Sequence, residues 1–167
     1  MIERKLKVKG QYIKDFSFEN PNSPAVFQLL SKSAPDVKVV VNISSAKLKA
    51  KEESEENDEE KSFHEVTLHV DIKATAKADT DEIDVFRCEI KHCGVFLFEN
   101  QIDEEELKRT LLIEAPSFLF PFAREIIARV VGSGGFSPIM LDPIDFFAMY
   151  EQQSQNVNQR PNSRTHG

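Results

Sequence analysis

The sequence predicts an α+β domain, a four-stranded antiparallel sheet covered by helices on one side and wet on the other. Three observations lead there. Four segments between Leu6 and Phe98 alternate apolar and polar residues, the mark of strands with one buried face. Short connections let neighbouring strands pair antiparallel. From Asp103 onward the apolar spacing becomes helical, and these helices must cover the dry face or stack on a second copy.

In the first strand, Leu6, Val8, Tyr12, Phe16 and Phe18 share one face, while Lys7, Lys9, Gln11, Ile13, Asp15, Ser17 and Glu19 share the other. Asn20-Pro21-Asn22-Ser23-Pro24 stops it, because two prolines deny ladder hydrogen bonds. Ala25 to Leu30 follows as a short irregular or helical cover. Val37, Val39, Val41 and Ile43 mark the second strand, and the parity change to Ala46, Leu48 and Ala50 beyond Ser44-Ser45 predicts a bulge or twist. Glu52 to Glu60 holds no apolar residue and reads as a solvated acidic loop at about 51–61. The third strand puts Val66, Leu68, Val70, Ile72, Ala74, Ala76 and Ala78 on one face, and Asp79-Thr80-Asp81 turns it. The fourth, from about Ile83 to Phe98, carries Phe86, Cys88 and Ile90 inward and Arg87, Glu89 and Lys91 outward, with Gly94 interrupting.

Asp103 with Glu106 three residues later opens a short helix bearing Leu107, Leu111 and Leu112. Pro116 separates it from a main helix of about Phe118 to Val131. That helix opens near Ser117, tolerates Pro121 only in its first turn, and ends at Gly132-Ser133-Gly134-Gly135. Its stripe of Leu119, Phe122, Ala123, Ile126, Ile127 and Val130 must be buried. Asp142 then caps a last helix, with Pro143 where its missing N–H costs nothing. There Ile144, Phe146, Phe147, Ala148, Met149 and Tyr150 place apolar groups nearly all the way round. Burying each large side chain is worth roughly 1.5–3 kcal/mol, so this helix lies between two layers or awaits a partner. The polar stretch 152–167 reads as a disordered tail, leaving a single domain at 1–151.

Composition narrows the function. The chain has 167 residues, 13 Phe, no Trp and a formal net charge of −7, which disfavours nucleic acid and suits solubility or basic partners. No apolar run is long enough to span a bilayer, and MIERKLKVKG lacks the apolar core of a signal peptide, so a cytoplasmic location is expected. Cys88 and Cys93 lie an odd number of residues apart in one strand and point to opposite faces, as structural thiols. His64-Glu65 with His69 has the wrong spacing for a zinc-protease helix, so no metal or cofactor is expected. Gly132-Ser133-Gly134-Gly135 follows a helix and has no lysine, unlike a phosphate-binding loop, and no serine sits in a nucleophile elbow. Asp142 and Asp145 fit a helix cap and first-turn charge better than a catalytic pair. The expectation is a protein that is not an enzyme.

Three segments carry a family resemblance: Tyr12-Ile13-Lys14-Asp15-Phe16-Ser17-Phe18-Glu19-Asn20-Pro21-Asn22-Ser23-Pro24; Glu114-Ala115-Pro116 with Leu119-Phe120-Pro121-Phe122-Ala123-Arg124; and Gly135-Phe136 with Leu141-Asp142-Pro143-Ile144-Asp145-Phe146. Together they resemble the SecB protein-export chaperones, in order, from about Lys7 to Tyr150. The resemblance implies a dimer of dimers, a homotetramer whose long helices are sandwiched between dimers, burying Phe122, Ile126 and Val130. It implies an ATP-independent holdase that binds unfolded precursors and passes them to the SecA motor ATPase, with no nucleic acid and no membrane insertion.

A holdase needs accessible apolar area without sequence selectivity, which aromatic and flexible side chains supply. Phe146, Phe147, Met149 and Tyr150, the loop around Phe136 and Ile139, and Tyr12 are the candidates to line a client groove. Ordinary core or inter-subunit packing is the alternative for each. Phe86, Cys88 and Ile90 match a strand linked in the family to assembly and client access. By position, Asp15, Glu19 and Glu89 match acidic residues that contact SecA, and Arg87 stands within that site where an apolar residue is familiar. A chaperone dedicated to one client, such as an antitoxin, and a small apolar-ligand-binding protein remain as alternative readings.

Overall fold

A computed structural model describes residues 6–49 and 61–158. Four strands form one antiparallel sheet: β1 (Leu6–Glu19), β2 (Asp36–Leu48), β3 (Ser62–Ala78) and β4 (Asp81–Phe98), in the order β1-β4-β3-β2. A short helix α1 (Val26–Leu30) follows β1. Beyond β4 come α2 (Glu104–Arg109), a π-helical turn (Thr110–Glu114), α3 (Ala115–Ser133) and α4 (Phe146–Asn158). Ser23-Pro24 is a cis peptide in the connection after β1.

The core lies between one sheet face and α3. Val66, Leu68, Val70 and Ile72 of β3 and Phe86, Cys88, Ile90, Phe96 and Phe98 of β4 are buried beneath Leu119, Ala123, Ile127 and Val131 of α3. Cys88 pairs with Ile72 in register, whereas Cys93 pairs with Tyr12 and Thr67, so the two free thiols sit on opposite faces. Burial pushes the Cys88 thiol up to about 11 and raises that of Cys93 as well.

Several local expectations change. Register shifts between Val8 and Gly10 and between Ile13 and Asp15 flip the middle of β1. Tyr12 therefore shares the open face with Cys93, while Gln11 and Ile13 join the helix-covered face beside Gly94 and His92. No bulge follows Ser44-Ser45, because β2 pairs with β3 without a break from Asp36 to Leu48. Nor does Gly94 interrupt β4: its hydrogen atom fills a place where a Cβ would lie 2.8 Å from the Phe96 ring and 3.0 Å from Leu119.

Pro116 does not separate two helices. The chain stays helical from Glu104 to Ser133, and the π turn changes the hydrogen-bond offset just ahead of the proline that cannot donate. Pro121 lies inside α3, on its exposed flank, and the helix starts before Ser117. The glycine run does end it, with the positive φ at Gly135. The stripe buried by α3 is Leu119, Ala123, Ile127 and Val131; Phe122 is exposed, and Ile126 and Val130 are half-buried. The last helix opens three residues later than expected, where Asp145 accepts from Ala148 N at 2.9 Å in place of Asp142. It continues through Gln152 to Asn158, so those residues are helical, while 159–167 and the acidic stretch at 50–60 lie outside the described residues. Asp103 caps α2 as expected, accepting from Glu105 N and Glu106 N.

Candidate docking face and client surface

Strand parity and register build the open sheet face residue by residue. Glu19, Arg87, Lys73 and Lys38 form one row across β1, β4, β3 and β2; Ser17, Glu89, Asp71 and Val40 form the next; Asp15, Lys91, His69 and Asn42 the third. All four residues matched to SecA contact, Asp15, Glu19, Arg87 and Glu89, thus lie together on neighbouring strands. Most are already engaged. Arg87 grips Asp71 with two nitrogens at 2.8 and 3.2 Å, Glu89 meets His69 Nε2 at 2.8 Å, and Asp15 lies 3.8 Å from Lys91. The Asp71 carboxylate beside Arg87 raises the guanidinium's affinity for its proton.

A fourth row carries Tyr12, Cys93, Thr67 and Ser44. Tyr12 donates to Glu65, which also accepts from Lys14 Nζ at 2.6 Å. The bond to this carboxylate pushes the Tyr12 hydroxyl up to about 12, and Lys14 and Tyr12 together hold Glu65 below the usual carboxylate range. Tyr12 is therefore a neighbour of the charged face and not of the aromatic loop.

Apolar exposure concentrates elsewhere. The outer edge of α3 presents Phe118 and Phe122, which contact one another, and Phe122 stacks over the buried His92. Across from that edge, β1 leaves Val8 and Ile13 uncovered. His92 shares a 3.3 Å contact with Gln11, and its Nδ1 has no partner among the described residues; burial lowers its pKa.

At the other end, Phe18, Phe86, Phe136 and Phe27 form a chain of ring contacts 5.0 to 5.9 Å apart, closed over Gly134 and Gly135. Of the client-surface candidates, Phe86, Cys88, Ile90 and Phe146 are buried in the core. Phe136, Ile139, Met149 and Tyr150 are half-buried, and Phe147 is exposed with Arg109 over its ring at 5.7 Å. Between α3 and the segment before α4 runs a cleft of about 330 Å³, with Pro121, Arg124, Ala128, Pro138 and Met140 on its walls. Sequence reasoning missed Phe27, Val8 and Met140 as exposed apolar surface. Phe27 and Met140 sit in a short cover and a loop that no periodicity marks, and Val8 belongs to the alternating inward face but lies where the edge strand is left uncovered.

A family model described as preprotein translocase subunit SecB matches residues 2–157. The chain belongs to the SecB family. Among curated SecB relatives, the protein-export protein SecB of Wolbachia sp. subsp. Drosophila simulans is 58% identical over 93% of this chain and 93% of its own length. The SecB of Anaplasma marginale is 51% identical over 89% of this chain and 82% of its own, and that of Ehrlichia chaffeensis 47% over 96% of both. The fold is similar to that of a SecB-like chaperone from Mycobacterium tuberculosis, solved in complex with a ChAD peptide from an antitoxin. That likeness has a TM-score of 0.58 at 12% identity and covers 84% of this chain and 88% of the other.

Proposed function

We propose that this protein is an ATP-independent holdase that binds unfolded secretory precursors in the cytoplasm and hands them to the SecA motor, working as a homotetramer. The observation that carries this reading is 58% identity to a protein-export SecB over 93% of both chains. The physical surface suits it. Phe118, Phe122, Val8 and Ile13 lie exposed along one side, and Phe27, Met140 and Phe147 elsewhere, large apolar side chains open to contact with a client or another subunit. No helix among the described residues is long and apolar enough to cross a membrane.

Division of labour follows from the two faces. Phe122, Ile126 and Val130 on the outer edge of α3 join subunits into dimers of dimers. Phe136, Ile139, Phe147, Met149 and Tyr150, with Phe27, receive apolar client segments through adaptable aromatic and thioether contacts. Phe86, Cys88, Ile90 and Phe146 support that surface from beneath. Asp15, Glu19, Arg87 and Glu89 meet SecA on the opposite sheet face, so client and motor need not compete for the same side chains.

The test is dilution of a chemically unfolded secretory precursor into nucleotide-free buffer, with aggregation followed by light scattering. Stoichiometric protein should keep the precursor soluble and unfolded. Unchanged aggregation across several precursors would overturn general holding and return attention to a single dedicated client.

A further inference from the structure

The sheet face assigned to SecA alternates in charge instead of being acidic. Along β4 its successive outward residues are Arg87, Glu89 and Lys91. Arg87 shares its row with Lys73 and Lys38, Glu89 shares its row with Asp71, and Lys91 with His69. A cationic band led by Arg87 and an anionic band led by Glu89 therefore follow one another at the two-residue repeat of a strand, about 6.8 Å, with the Lys91 ammonium one repeat further on. Glu19 of β1 flanks Arg87, and Asp15 stands beside Lys91.

A uniformly basic partner fits this face poorly. It would meet Arg87, Lys73 and Lys38 head-on, and it would compete with His69 for Glu89 and with Lys91 for Asp15. Lys73 pairs with Asp84 at 2.9 Å, but Lys38 has no ion pair among the described residues. Arg87 uses Nε and one terminal nitrogen on Asp71 and keeps further N–H donors, with half its side chain exposed. β4 is paired on both sides and offers no edge, but an extended polypeptide lying across the open face parallel to it has the same two-residue repeat, so its side chains can answer each band in turn.

Resting on the SecA reading above, we propose that the SecA segment that docks here is mixed in charge. It carries a carboxylate opposite Arg87 and a cation two residues away, opposite Glu89. Arg87 then determines partner specificity: it selects the acidic residue and rejects a purely basic segment.

SecA from the same organism, titrated by fluorescence anisotropy into the full-length protein, tests this through the sign of one effect. Arg87→Leu should weaken binding several-fold and Arg87→Glu about tenfold or more. Asp15→Lys with Glu19→Lys should weaken it too. If Arg87→Glu binds as well as or better than wild type while the Asp15/Glu19 variant is impaired, the mixed-charge inference fails and the docking reading survives. If wild type does not bind, or the Asp15/Glu19 variant binds equally, both fall. Arg87→Leu guards against misfolding, since it lacks the repulsion from Asp71 and Glu89 that Arg87→Glu introduces, and each variant should still hold an unfolded precursor.

Discussion

Replacing Gly94 with alanine should destabilise the protein, although alanine is ordinarily the better strand residue. At this point of β4 a side chain of α3 lies directly against the sheet backbone. The added Cβ would stand 2.8 and 2.9 Å from two atoms of the Phe96 ring and 3.0 Å from Leu119 Cδ2. Neither neighbour can swing away: Phe96 and Leu119 are both fully buried, and Phe96 also meets Phe118 edge-on at 6.4 Å. Overpacking of this size costs about 1–3 kcal/mol, against about 0.5–1 kcal/mol gained when a strand glycine becomes alanine. The net loss of about 1–2 kcal/mol corresponds to a Tm lower by roughly 2–8 °C in a chain of this length. Gly10 supplies the control, because nothing lies within 4 Å of its Cβ position. Gly10→Ala should be neutral or raise Tm by a few degrees, on the order of the same 0.5–1 kcal/mol. Both variants are compared with wild type by thermal and urea unfolding at equal protein concentration, since association shifts apparent stability. A Gly94→Ala protein as stable as wild type would refute the close approach of α3 to β4.

Three further predictions separate the inner and outer faces of the same elements. Ile127→Ala, at a fully buried position of α3, should cost about 2–5 kcal/mol in urea unfolding, and a smaller loss would mean that α3 is loosely seated. Phe122→Ala, on the exposed edge, should leave the unfolding midpoint nearly unchanged at concentrations where the subunits are dissociated, yet weaken self-association in sedimentation; unaltered association would remove Phe122 from the proposed interface. Acid should destabilise the fold through His64 and His92, whose pKa values are lowered mainly by burial. With folded values below the unfolded one of about 6.5, the unfolded chain takes up protons first, so stability is full above that pH and declines as pH falls beneath it. The carboxylates Glu65 and Glu99, also lowered, contribute only at more acidic pH, so a His64→Gln/His92→Gln protein should lose the decline between pH 6.5 and 5; an unaltered slope would refute it.

Much of this architecture was legible because it is local. Period-two alternation located β1 at its observed bounds and fixed the inward parity of β3, and Asp103 announced α2. What escaped depends on partners distant in sequence. The two shifts in β1 arise only when it pairs with β4, and they carried Tyr12 to the charged face. Helical spacing alone could not tell the Leu119-Ala123-Ile127-Val131 stripe from the adjoining one through Phe122 and Ile126, since both are apolar and only the sheet beneath chooses between them. The proline punctuation misled for a similar reason. A π turn and an exposed helix flank absorb Pro116 and Pro121, and neither is visible one residue at a time. For the candidate docking residues, parity turned Asp15 and Glu19 of β1 and Arg87 and Glu89 of β4 outward, but their adjacency and the His69 and Lys91 side chains that meet Glu89 and Asp15 emerge only from the cross-strand register.

The location of the net charge bears on the proposed docking of a partner on this face. Residues 52–60 contain seven acidic side chains and no basic one, which equals the whole formal charge of −7, so the rest of the chain is balanced. An acidic protein is thus compatible with a sheet face on which Asp15, Glu19, Asp71 and Glu89 are balanced by Lys38, Lys73, Arg87 and Lys91. Long-range attraction of a basic surface then belongs to the 52–60 stretch, and is screened beyond about 8 Å at physiological ionic strength. Choice of register belongs to the banded face, where contacts are made at ion-pair distance. The two contributions are separable by salt: neutralising the 52–60 acids should slow association and flatten its salt dependence, whereas changing Arg87 should alter mainly the dissociation rate.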